Sequence, residues 1–185
     1  MDALLIALLL SVITVAGGRS PLLMEILRER FGGSAAVMAG MLCATAVSAV
    51  ISAWVGALLA SLLTPEARSL LLGLAIGAGG LFLLFRPSRP MRLGRIGGCP
   101  LLAASLGFLL ICLGESAQFI IAAVAAARAD PWMAGLGGWI GCAVASLAIP
   151  PSVISSPIQR AVRTVASIPL MLIGLFTAMG ALRLF

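Results

Sequence analysis

CLGESAQF (residues 112–119) sets a glutamate between two lipid-grade runs, LLAASLGFLLICLG (101–114) and FIIAAVAAA (119–127). An intramembrane carboxylate costs on the order of 3 kcal/mol or more unless it is paired or hydrated, so Glu115 marks a site. Gly114 beside it weakens the helix at the same point. The segment therefore reads as a membrane span broken near its middle, with an acid at the break.

Composition sets the class. Of 185 residues, 62% are hydrophobic and 10% charged, far outside the soluble globular range. The chain reads as an all-α, polytopic membrane protein with room for six transmembrane helices of roughly 20 residues each. The net charge of +6 comes from twelve arginines. They stand at span ends and in short loops, which indicates topology and no nucleic-acid partner. Cys43, Cys99, Cys112 and Cys142 are widely spaced and there is no histidine, so they read as packing residues with no disulfide framework and no cofactor. Without histidine, a nucleophile–base pair or a nucleotide-binding loop, the expectation is no enzyme. MDALLIALLLSVITVAGG (1–18) has an acid where a signal peptide has a basic start, and it is kept as the first span.

Hydropathy and punctuation predict segments at 3–30, 34–63, 67–86, 99–128, 131–155 and 161–184. The first and fourth are interrupted, by Gly17-Gly18-Arg19-Ser20-Pro21 and by Gly114-Glu115-Ser116. Arg28, Arg30, Arg86, Arg89, Arg92, Arg95, Arg160 and Arg163 gather on one face, and Arg68, Arg128 and Arg183 on the other. This places the loop 86–98 in the cytoplasm and both termini outside, in a bacterial inner membrane. The chain is one membrane domain: a first repeat over 1–86, a basic loop over 87–98 and a second repeat over 99–185. Setting Val15 on Cys112 aligns VAGGRSPLL (15–23) with CLGESAQFI (112–120) and Gly40 with Gly137. Each half holds three spans, so the second enters the bilayer from the opposite side, as in inverted-repeat transporters whose broken helices meet near the midplane.

These two stretches resemble the paired E-x-G-D-[KR]-[ST] motifs of uncharacterised protein family 0016, the transmembrane-protein-165 family of manganese and calcium exchangers. GMLCATAVSAVISAWVGALLASLLTPE (40–66) also resembles that family's second span. The resemblance implies proton-coupled export of manganese or calcium, with the lipid bilayer, the transported cation and protons as partners. The motif glutamates correspond here to Val15 and Cys112, and the aspartates to Gly18 and Glu115, so four carboxylates become one. The basic position survives as Arg19 and is replaced by Ser116 in the second copy. Gly17, Gly114, Ser20 and Gln118 match. Glu115 and Gln118 are the metal-ligand candidates; manganese and calcium take six or more oxygens, so weak binding or none is expected.

Several assignments stay open on sequence. Glu115 serves an ion pathway, or forms a buried pair with Arg19, or is a neutral acid bonded to Ser116 or Gln118. Arg19 pairs with Glu115, meets an anion or snorkels. Gly17, Gly18 and Gly114 unwind the helices or let them pack closely. Thr45, Ser48 and Ser52 share a helix face and line a pathway, or bond back to their own helix. Two functions follow. One is a secondary transporter with a midplane site of Glu115, Gln118, Ser116, Ser20, Arg19, Gly17 and Gly114; a lone carboxylate there fits a proton-coupled monovalent or organic solute better than a dication. The other is a non-transporting subunit that keeps the fold and packs on a second copy or another membrane protein.

Overall fold

The computed structural model describes residues 2–16, 18, 20–31, 35–85, 100–128, 130–148 and 157–182. Among them the secondary structure is α-helical throughout: α1 (Asp2–Ala16), α2 (Ser20–Phe31), α3 (Ala35–Leu62), α4 (Pro65–Phe85), α5 (Pro100–Leu113), α6 (Ser116–Ala127), α7 (Pro131–Ala148) and α8 (Pro157–Ala181). Four helices open on proline and α2 carries Pro21 in its first turn, where a missing N–H costs nothing. The interruptions fall where glycine was expected to weaken the spans. α1 ends at Ala16, before Gly17-Gly18, and α5 ends at Leu113, before Gly114.

Four helices, α3, α4, α7 and α8, are long and apolar enough to cross a bilayer, and five spans result when α5 and α6 are taken as one, bent by 63°. α1, with 15 residues, is about 22 Å long against ~30 Å of hydrocarbon, and its continuation α2 carries Glu25, Arg28, Glu29 and Arg30. Outward-facing side chains include Trp54, Phe82, Leu110, Phe176 and Leu175, a surface suited to hydrocarbon. This is an integral membrane protein. The stretches 86–99 and 149–156 lie outside the described residues, and with them the loop arginines and the end of the expected fifth segment.

Helix directions follow from which residues touch. A Cβ on Gly137 would strike the Leu4 carbonyl, and one on Gly141 would lie 2.6 Å from the Leu8 carbonyl, so α1 and α7 run parallel in backbone contact. α3 runs parallel to α5 and α6, from Gly40 against Leu101 and Ala104 to Gly56 against Ala122 and Ala125. α4 and α8 are antiparallel, with Gly73 against Ala178 and Gly80 against Met171. α3 and α7 are also antiparallel: the Trp139 indole N–H donates to the Leu42 carbonyl at 3.2 Å, while Gly135 abuts Ala49 and Ala53. Bare glycine surfaces bring backbones this close, and dispersion then replaces the hydrophobic drive that lipid cannot supply.

Many of these contacts are related by one sequence offset. Leu42 and Trp139 are 97 positions apart, as are Gly77 and Gly174, and Gly18 and Glu115, and each residue touches its own counterpart. Gly40 on Leu101 and Gly137 on Leu4 are counterparts at the same offset of 97. So are the turns at the two breaks, where Gly18 N–H donates to Val15 O at 2.8 Å and Glu115 N–H to Cys112 O at 3.0 Å.

Candidate functional site

The second break is a single turn. Gly114 N–H donates to Ile111 O at 3.1 Å, Glu115 N–H to Cys112 O, and Gln118 N–H to Glu115 O at 3.2 Å. Glu115 itself is extended (φ −94°, ψ 141°) and stands outside both helices. Its side chain is thereby thrown inward, to 1% exposure. There Ser20, the first residue of α2, donates its hydroxyl to Glu115 Oε2 at 2.6 Å. The other carboxylate oxygen lies where a Cβ on Gly18 would stand. The two interruptions thus meet at the carboxylate, and a short charge-assisted bond joins them. Gly18 is needed for this approach because any side chain would displace Glu115. Gly114 is not, since a Cβ there would meet nothing nearer than 3.7 Å.

Gln118 faces elsewhere. Its carbonyl oxygen accepts from Ser52 at 2.7 Å and its amide donates to Ser48 at 3.1 Å, so both ends are engaged by α3. Ser48 also donates to the Thr45 carbonyl at 3.0 Å, and Thr45 bonds back to Met41 at 2.9 Å. Of the two readings of the α3 hydroxyls, bonding back to their own helix is seen at Thr45 and Ser48, while Ser52, with Ser48, binds Gln118 of α6. Ser116 opens on a lateral apolar groove of about 470 Å³ between α3, α4 and α6, beside Phe119, Gly79 and Phe82. A second apolar groove of about 360 Å³ lies between α3 and α7. Neither is lined by Glu115 or Gln118.

Gly17 and Arg19, and hence the expected Arg19–Glu115 pair, lie outside the described residues. Two thiols were read only as packing groups. Cys112 adjoins the Ser20 and Ser48 hydroxyls and the carboxylate, and Cys142 adjoins Ser11. Both are free and buried. The Ser11 and Ser146 hydroxyls are buried with no hydrogen-bond partner among the described residues.

Glu115 and Gln118, the expected metal ligands, point to different helices. No group of three or more histidine, cysteine, aspartate or glutamate side chains among the described residues is placed to hold a metal ion. Chemically the arrangement offers one enclosed carboxylate at a helix junction, in a short bond to a hydroxyl. No protein-family model, curated protein or solved structure matches the chain.

Proposed function

We propose that the chain is a secondary transporter built from two inverted three-span repeats, with Glu115 exchanging a proton for a cation at the midplane. The observation that carries this reading is the Glu115 carboxylate, enclosed at the meeting of two broken helices and held by a hydroxyl from the opposite half. The offset contacts support the repeat. Helices that pair with their own counterparts, α3 with α7 and α4 with α8, are antiparallel, as a two-fold axis lying in the membrane plane requires. The six spans are then α1–α2, α3, α4, α5–α6, α7 and α8, with the arginine-rich ends in the cytoplasm of a bacterial inner membrane.

The cargo is a monovalent cation. Manganese or calcium, as the family resemblance implies, needs several anionic oxygens to offset its charge and lost hydration. Among the described residues Glu115 is the one acid at the junction, and Gln118 is occupied by Ser48 and Ser52. One observation favours the second reading, a fold-keeping subunit without transport: neither groove reaches the carboxylate.

Proteoliposomes separate the two. With an imposed pH gradient and dyes for sodium, potassium and manganese, the wild type should couple monovalent cation flux to protons, and Glu115→Gln should abolish it. Equal signals from wild type, Glu115→Gln and empty vesicles would remove the transporter reading. A manganese signal that exceeds the monovalent ones would correct the cargo.

A further inference from the structure

α2 and α6 are counterparts, each the half-helix that follows a break, yet they are held very differently. α6 is gripped on several sides. Gln118 is tied to Ser48 and Ser52, Gly56 lets α3 approach the Ala122 carbonyl, and Ile120 sits in the hollow that Gly79 leaves in α4. Of its large side chains only Phe119 is exposed. Among its described side chains α2 buries Ser20, Pro21, Leu23, Met24 and Leu27 and leaves Glu29 and Arg30 outside.

The difference is written in the sequence at the offset of 97. Opposite Gln118 stands Pro21, opposite Ser48 stands Ala145, and opposite Gly79 stands Phe176. No polar tie can form between Pro21 and Ala145. Phe176 stands at the position of the hollow and faces outward at 63% exposure, and among the described residues α8 packs on α4 with no comparable contact to α2. The same fold thus has one half-helix held by the Gln118 tie and the Gly79 hollow and another that, among the described residues, lacks both; the position opposite Gly56 lies outside the described residues. In an inverted repeat the alternative state exchanges the environments of the two halves.

We infer that α2 is the moving gate over Glu115, that the Gln118–Ser48–Ser52 contact is the latch that keeps the α6 side shut, and that cargo reaches the carboxylate from the end of the bundle bearing Arg28 and Arg30. The assignment of cargo entry rests on the transporter reading. Ser20 couples the two, because lifting α2 withdraws its hydroxyl from the carboxylate.

Leu27 and Val124 are counterparts at equal depth beyond their breaks, and both are buried. In a full-length protein whose native cysteines are replaced by alanine, Leu27→Cys and Val124→Cys are each exposed to a membrane-impermeant thiol reagent, in phosphatidylethanolamine/phosphatidylglycerol vesicles of both orientations. Leu27→Cys should react at least tenfold faster, and from the Arg28/Arg30 face. Adding Gln118→Leu should raise the Val124→Cys rate at least tenfold from the opposite face. Equal rates at the two positions, or no response to Gln118→Leu, overturns the inference. Hydrogen exchange on the unmodified protein gives the same comparison if a cysteine variant does not fold: α2 amides should exchange at least tenfold faster than their α6 counterparts, and equal protection overturns the assignment. Neither readout needs cargo, so the expected asymmetry in a protein that moves no ion supports the gate and refutes only the transporter reading.

Discussion

Gly56→Ala adds one methyl group where α3 meets α6. Its Cβ would lie 2.5 Å from the Ala122 carbonyl oxygen and 2.5 Å from the Ala125 Cβ, atoms that move only with their helix. Ordinary contact between heavy atoms is about 3.5 Å, so α3 must retreat by about 1 Å. Overpacking of this kind costs about 1–3 kcal/mol, and the better helix propensity of alanine returns up to about 1 kcal/mol. A net loss of about 1–2 kcal/mol corresponds to a fall of about 2–8 °C in the melting temperature of a chain this size. Ser52 sits one turn before Gly56, and a 1 Å retreat carries its 2.7 Å bond to Gln118 beyond the range of a good hydrogen bond. The matched control is Gly77→Ala, where the nearest atom to the new Cβ is 4.0 Å away and propensity alone raises stability by up to about 1 kcal/mol. Thermal unfolding in detergent, with hydrogen exchange across α6, reads both effects. If Gly56→Ala melts at or above the wild type, or α6 protection is unchanged, the close packing of α3 on α6 is not as described.

Ser20→Ala removes the bond to Glu115 and should cost about 1.5–3 kcal/mol; a double-mutant cycle with Glu115→Gln should show coupling of at least about 1 kcal/mol, and additive losses would place the hydroxyl elsewhere. Gly18→Ala should lose proton-coupled flux and stability together while Gly114→Ala retains both, as measured by transport and melting; equal effects would contradict the one-sided approach to the carboxylate. Ser11→Ala and Ser146→Ala each delete a buried hydroxyl with no hydrogen-bond partner among the described residues, and unfolding should show no loss or a gain of about 1 kcal/mol; a clear loss would contradict that placement. Trp139→Phe should cost about 1 kcal/mol by freeing the Leu42 carbonyl, and an unchanged melting curve would deny that bond a role.

Much of this was legible in the chain because glycine, proline and charge act locally. Gly17-Gly18 and Gly114 stand where helices end, and residues 97 positions apart touch at Leu42–Trp139, Gly77–Gly174 and Gly18–Glu115. Ser20 was legible only through the motif match; the structure puts it first in α2, beside the break. Gln118 was grouped with Glu115 by the motif match; Glu115 is extended and α6 begins only at Ser116, so the two side chains diverge and Gln118 bonds Ser48 and Ser52. Cys112, Cys142 and Ser11 were not recognised because their meeting depends on how α1, α5 and α7 cross, which no local pattern encodes.

Positions 18 and 115 compete for the same volume. A side chain in one half forbids one in the other, which makes the solitary acid a matter of space as much as of chemistry. The carboxylate is therefore transferable between halves: Gly18→Glu combined with Glu115→Gly would deliver it from the other chain segment into the same spot, while Gly18→Glu alone would crowd two acids into room for one.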